Sequence, residues 1–294
     1  MFGWKSFSKR VWDGKNKVNI IFVTSQVFVF SLDPEEKNAV ILLLPSKTFL
    51  EVVHGYGDYP LESIYQLGEI EDYDGGILLS ESLQENLRIP IEAYLVVANS
   101  NFKFQMSNIK KYIVDSLRFS LVNSKTNLTK WDLFRLWLET RKIRQDKMTL
   151  LDLEELDTTE RFTFPDGTEG LKIDFQKFKK IALSYFKDSK IRQENLEIAV
   201  LNSTSYSGLA TRVADLIENI GGRVVEIGET EKSKIQNPKS KCEIRSKREF
   251  KKSYTLRKLE KVFGCQWEEE DTGDYRGDVV LIVTEQYWKM LKEK

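Results

Sequence analysis

The sequence is poor in cysteine, histidine, glycine and proline, and it has no excess of either charge. Two cysteines in 294 residues can neither staple a disulfide-rich mini-protein nor furnish a four-cysteine zinc site. A single histidine excludes a histidine-rich metal centre. Sixteen glycines and six prolines are too few for a collagen-like, linker-dominated or broadly disordered chain. Lysine plus arginine equals aspartate plus glutamate, 45 against 45, which excludes a polyanion binder of the histone type while leaving local patches open. Long apolar runs are also lacking. The most apolar early stretch, residues 18–32, is broken by Thr24, Ser25 and Gln26 and falls short of the ~20 residues a membrane-crossing helix needs. Residues 4–17 are basic, through Lys5, Lys9, Arg10, Lys15 and Lys17, but no apolar signal-peptide core accompanies them.

What is present is enough for about two domains: 41% apolar and 12% aromatic residues. The pattern predicts an α/β fold with a central mixed sheet and flanking helices. Residues 18–23 and 27–32 are β-branched and aromatic, and 39–44 is a continuous apolar run suited to a strand buried on both faces. A helix is predicted from Gly76, with Leu79, Leu83 and Leu87 on one face, then a strand at 91–98. Two helices follow, 109–122 and 130–142. In the second, Trp131, Phe134, Trp137 and Leu138 form an apolar stripe, Thr129 or Asn127 is placed to cap, and Asp132 suits the positive end of the helix dipole. The expected division is a basic flank at 1–17, a first domain at 18–153, a connector at 154–195 and a second domain at 196–294. The connector carries a Pro165-Asp166-Gly167 turn and a helix at 175–186. The second domain reads β-α-β-β-α-β, with strands at 196–201, 223–227, 242–245 and 278–283 and helices at 209–220 and 255–263. That is the split order of ferredoxin-like domains.

Three stretches carry a resemblance. SLDPEEKNAVILLLPSKTFLEV, the glycine loop HGYGDYPLESIYQLGE and GGILLSESLQENLRIPIEAYLVV together resemble the LytR-CpsA-Psr family over about residues 18–98, and 126–133 resembles the closing helical segment of its catalytic domain. LEIAVLNSTSYSGLATRVADLIENIGGRVVEIGE resembles the LytR C-terminal domain, with Leu201, Asn202, Thr204, Gly208, Leu209 and Ala210 in place. The resemblance implies a cell-envelope protein. Active members move glycopolymer from a polyprenyl-pyrophosphate carrier to peptidoglycan, with Mg²⁺ and arginines neutralising the diphosphate. Their catalytic residues do not carry over. The family's Asp-Thr pair falls on Ser25-Gln26, its Pro-Arg-Asp loop on Pro45-Ser46-Lys47, and its helix-start Asn on Glu62. The arginine-rich middle segment is missing: between Ala98 and Thr126 the one arginine is Arg118, beside Lys103, Lys110, Lys111 and Lys125. The expectation is therefore a shortened, non-catalytic relative with no assigned catalytic residue and no cofactor; Mg²⁺ enters only if the phosphotransferase alternative holds.

The binding candidates are Lys47, Tyr65, Asn202, Thr204 and Gly208. The expected partners are cell-wall glycopolymer, lipid-linked glycan or an envelope protein. The expected location is the extracytoplasmic envelope, anchored through a segment outside this chain, or the cytoplasm if the chain is complete. Cys242 and Cys265 pair if the domain lies outside the cytosol and stay as thiols if it does not. His54 and the acidic run around Asp72 and Asp74 read as loops. Residues 234–261 hold eleven basic residues against three acidic ones. Arg245, Lys247, Arg248, Lys251 and Lys252 form the candidate polyanion patch, followed at once by the acidic run 268–271. With Tyr254 the one aromatic between Phe250 and Phe263, a DNA-binding regulator is the weaker alternative.

Overall fold

The computed structural model describes residues 10–97, 107–122, 124–164, 167, 169–232, 235–237, 239–270 and 275–293. Ala98, Lys103, Pro165, Asp166, Lys234 and Asp271, named above, lie outside them, as do Lys5 and Lys9 of the basic flank. The chain forms two compact units. The first comprises Met1–Leu50, Asp58–Leu83 and Ile91–Phe178, and the second Glu51–Gly57, Gln84–Pro90 and Lys179–Lys294.

The first unit is built on β1 (Val18–Val23), β2 (Phe28–Asp33) and β3 (Asn38–Leu43). A short ribbon, β4 (Phe49–Val52) with β5 (Gly57–Pro60), leads to helices α1 (Leu61–Ile70) and α2 (Gly75–Leu87). Then come β6 (Ala93–Val96), α3 (Ile109–Ser120), α4 (Lys130–Lys142), β7 (Met148–Asp152), a hairpin of β8 (Thr159–Thr163) and β9 (Glu169–Ile173), and α5 (Phe175–Tyr185), which belongs to the second unit from Lys179 on. The sheet runs β6-β1-β2-β3-β7. The three central strands are antiparallel, and β6 and β7 add on parallel to β1 and β3.

Alternation along the strands assigns the faces. Val18, Ile20, Phe22, Phe28, Phe30, Leu32, Ile41 and Leu43 point to one side, where they bury against Ile109, Ile113 and Leu117 of α3 and Leu133 and Leu136 of α4. Phe22 stacks on Phe28 at 4.8 Å and meets Phe30 edge-on at 5.9 Å. Residues of the opposite alternation, such as Ile21, Val29 and Leu42, are buried as well, so these strands are covered on both faces. Each such side chain contributes about 1.5–3 kcal/mol.

Two outcomes differ from the sequence pattern. The stretch read as a connector holds the β8–β9 hairpin. The α4 stripe of aromatics faces the core only through Trp137, which packs against its edge. The buried residues of α4 are Asp132, Leu133, Leu136 and Thr140, while Trp131 is exposed and Phe134, Trp137 and Leu138 are half-buried. A capping box explains the register. Thr129 accepts from the Asp132 amide at 3.1 Å, and Asp132 accepts from the Thr129 amide at 3.1 Å and from the Val11 amide at 3.2 Å. Turning Asp132 inward turns Trp131 and Phe134 outward, because they lie on the opposite side of a 3.6-residue helix, and leaves Trp137 on the flank. Asn127 has another task, accepting from the Tyr94 amide at 3.1 Å.

The second unit contains α6 (Ser189–Glu194), β10 (Glu197–Asn202), α7 (Leu209–Asn219), β11 (Arg223–Glu229), β12 (Cys242–Ser246), α8 (Tyr254–Phe263), β13 (Gln266–Glu269), β14 (Val279–Val283) and α9 (Glu285–Lys292). The predicted order is met with two additions, the strand β13 and the closing helix α9. The pairing is not ferredoxin-like: the sheet runs β11-β10-β14-β12-β13, with β10 parallel to both neighbours and β14 antiparallel to β12. Central β14 is buried throughout, as its unbroken VVLIV run requires. Cys242 and Cys265 are joined by a disulfide, with Cα atoms 4.5 Å apart. The bond ties the start of β12 to the residue before β13. Residues 84–90 supply this unit with Glu85, whose carboxylate accepts from the Tyr287 hydroxyl at 2.7 and 2.8 Å with Arg212 3.7 Å away. Burial pushes the Glu85 carboxyl up and the Tyr287 phenol well up.

Candidate functional site

In the first unit the three places where motif residues fall come together. The turn after β1 (Thr24, Ser25), Ser46 of the loop after β3, and Glu62 and Tyr65 of α1 line a cleft of about 240 Å³. Gln26, Pro45, Ser46 and Lys47 line a second cleft of about 510 Å³, closed on its other side by the β8–β9 hairpin. Ser46 belongs to both.

Local hydrogen bonds fix these walls. The Gln26 amide donates to Thr24 Oγ1 at 3.1 Å and closes the turn around Ser25. The Leu61 amide donates to the Thr48 carbonyl at 2.8 Å and the Glu62 amide to the Ser46 carbonyl at 3.2 Å. Two of the four amides that α1 leaves unpaired at its start are thereby taken by the loop. The Leu171 amide donates to the Lys47 carbonyl at 3.1 Å and anchors the hairpin to the same loop. Along the hairpin Phe49, Phe162 and Phe164 pack with centroids 4.6–5.5 Å apart, and Phe162 also lines the larger cleft. Gly170 is required there, because a Cβ would lie 2.7 Å from the Phe49 ring and 2.8 Å from the Phe162 ring.

The electrostatics of the larger cleft are balanced. Lys47 and Arg161 bring positive charge, Glu154 and Glu169 negative charge, and Arg161 reaches Glu154 at 4.0 Å. Glu62 adds a further carboxylate in the smaller cleft. Burial, and next the Glu69 carboxylate, push the Tyr65 phenol up, opposed by Lys125, which pairs with Glu69 at 2.6 Å. Asp74 caps α2 by accepting from the Ile77 amide at 2.9 Å and takes the Tyr94 hydroxyl at 2.7 Å, so the acidic loop serves the fold. Among the described residues, no group of three or more His, Cys, Asp or Glu side chains is arranged to hold a metal ion.

Lys47 and Tyr65 thus lie on this pair of clefts. Asn202, Thr204 and Gly208 lie in the second unit, and their polar atoms build a turn. Asn202 Oδ1 accepts from the Thr204 amide at 3.0 Å and hydroxyl at 2.8 Å, and its Nδ2 donates to the Tyr206 carbonyl at 2.8 Å. Gly208 caps α7 at φ 83°, a conformation that suits glycine. Of the basic segment, Lys247, Arg248, Lys251 and Lys252 are exposed, with Lys251 3.9 Å above the Trp267 ring. Arg245 does not belong to that patch: it is 5% exposed and bridges Glu243 at 2.6 Å and Glu270 at 3.0 Å. Its place on central β12 turns its side chain into the protein. Sequence reasoning missed Arg161, Glu154 and Glu169. The alternation TERFTF ahead of an Asp-Gly turn is the hairpin signal that would have found Arg161 and Glu169, while Glu154 lies ahead of the hairpin.

Residues 195–287 match the family model LytR_C, described as LytR cell envelope-related transcriptional attenuator. No curated protein matches the chain. Among solved structures, the transcriptional regulator yvhJ from Bacillus subtilis is similar at 15% identity and TM-score 0.43, covering 57% of this chain and 94% of its own. B. subtilis TagV is similar at 13% and 0.42, covering 58% and 95%. The LytR-CPS2A-psr family protein YwtF (TagT), solved with bound octaprenyl pyrophosphate lipid, is similar at 14% and 0.42, covering 59% and 91%. For the second unit the sequence model is specific: residues 195–287 match the LytR C-terminal domain family.

Proposed function

We propose that the chain is a cell-envelope protein whose first unit binds the glycan part of a cell-wall polymer or lipid-linked glycan without transferring it. The observation that carries this reading is the content of the clefts. The motif positions converge there, yet hold Ser25, Gln26, Ser46 and Glu62. Phosphoryl transfer needs developing negative charge to be neutralised. Here Lys47 and Arg161 are offset by Glu154 and Glu169, and Glu62 repels a diphosphate. Mg²⁺, which active members use, would meet the Ser25 hydroxyl where a carboxylate is needed, and Glu62 as a single ligand on another element; the donors do not fit it. The same walls suit a sugar: the Gln26 amide, the Ser46 and Thr163 hydroxyls and the Phe162 ring offer hydrogen bonds beside an apolar surface. The envelope assignment is supported by the matched family model and by the disulfide, a bond that persists in oxidising compartments.

Isothermal titration of the purified chain with solubilised cell-wall glycopolymer, and separately with a polyprenyl pyrophosphate in detergent, tests the reading. Saturable binding of the glycopolymer is expected, weakened about tenfold by Arg161→Ala or Gln26→Ala through the loss of one or two hydrogen bonds. The pyrophosphate lipid should bind more weakly, and Mg²⁺ should bring no turnover. Failure of the glycopolymer to bind, or transfer to peptidoglycan, would overturn it.

A further inference from the structure

The outward face of α4 has a composition that ordinary solvated helices avoid. Trp131 and Phe134 pack on it with centroids 5.6 Å apart, and Trp137, 6.0 Å further along, continues the row down to the edge of the core. Trp131 is 42% exposed, and at the adjoining end of α3 Phe119 and Val122 are 73% and 86% exposed. Lys130 ties the two helices at this corner by donating to the Ser120 carbonyl at 3.2 Å.

Cations frame the aromatics. The Arg10 guanidinium lies 5.7 Å from the Trp131 ring centroid and the Arg141 guanidinium 4.7 Å from that of Trp137. Lys130 and Arg118 are exposed beside them. The one carboxylate of α4 outside its buried first turn, Glu139, is paired with Lys142 at 2.7 Å.

From this we infer that the α3–α4 corner is a peripheral docking surface for an anionic lipid bilayer. Tryptophan and phenylalanine settle at the boundary between headgroups and acyl chains, and lysine and arginine meet the anionic headgroups. The aromatic row supplies the first element and the flanking cations the second, on one helix and its neighbour. An anionic bilayer matches both features at once, because its headgroups carry the negative charge the cations face and its headgroup boundary takes the aromatics. The inference does not depend on what the clefts bind.

Vesicle flotation of the full chain tests it. The chain should float with vesicles of phosphatidylcholine containing phosphatidylglycerol, bind pure phosphatidylcholine weakly, and detach substantially in 1 M salt. The double variant Phe119→Ser/Trp131→Ser should reduce partition about tenfold, as should Lys130→Glu/Arg141→Glu. All four positions are at the surface, and circular dichroism checks that the fold is kept. Lys251→Glu/Lys252→Glu, in the second unit, should leave partition unchanged. Absence of flotation, partition indifferent to the α3–α4 variants, or partition lost only with the Lys251/Lys252 variant would overturn the inference. So would a dimer in solution that the Phe119/Trp131 variant dissolves, since the face would then join two copies of the chain.

Discussion

Glu194 shows how one carboxylate can hold a helix it does not belong to. Its oxygens accept from the Tyr254 amide at 2.8 Å, the Thr255 amide at 2.7 Å and the Thr255 hydroxyl at 2.7 Å, at the start of α8. Burial alone would raise the carboxyl, but these hydrogen bonds outweigh it and hold it below its usual range. A carboxyl lowered on folding adds stability above its unfolded pKa, and this is lost as the pH falls through its folded value. Glu194→Gln should therefore cost about 1–2 kcal/mol at pH 7, and denaturant melts should show the difference closing in the acid range below pH 4.5. Nothing in the sequence marks Glu194 for this role, because its partners lie 60 and 61 positions away. Thr129 and Asp132 are the opposite case. Their spacing of three is a local signal, and of the two candidate caps, Thr129 and Asn127, it is Thr129 that forms the cap.

At the scale of elements, strands and helices with a strong period were legible and their directions were less so. Residues 18–23 and 130–142 match β1 and α4 residue for residue. Which side of α4 faces inward was not readable from hydrophobicity, because Trp131 and Phe134 outrank Leu133 and Leu136 as apolar area while the buried Asp132 sets the rotation. Thr129→Ala removes the hydroxyl half of the capping box and should destabilise the first unit by about 1 kcal/mol in a thermal or denaturant melt. The hairpin that walls the larger cleft depends on packing rather than on period. Gly170→Ala drives a methyl group into the Phe49 and Phe162 rings. It should cost about 1–3 kcal/mol as overpacking and weaken glycopolymer binding in the same titration that tests Arg161→Ala, by moving the Arg161 wall.

At the scale of the whole molecule, the chain does not hand itself out in sequence order. Residues 51–57 and 84–90 join the second unit, and Glu85 is buried there under the Tyr287 hydroxyl. The sequence shows two domain-sized patterns, but contacts as distant as Glu85 with Tyr287 leave no trace in local spacing. The candidate site was legible as positions, since Ser25, Ser46, Lys47 and Glu62 do meet, and illegible as a complete cleft because Arg161 arrives from the stretch read as a connector. The disulfide closes a loop of 23 residues, and reducing it should lower the stability of the second unit by about 3 kcal/mol, visible as a drop in Tm with dithiothreitol.

The latch between Cys242 and Cys265 also decides where the second sheet stops. Beyond β12 stands only β13, four residues ending in two glutamates, a strand too short and too charged to recruit a neighbour. Held by the disulfide, it works as a blunt hem on an otherwise fully buried strand. Without that hem the outer amides and carbonyls of β12 would stand open along its length, an edge that any second strand could join.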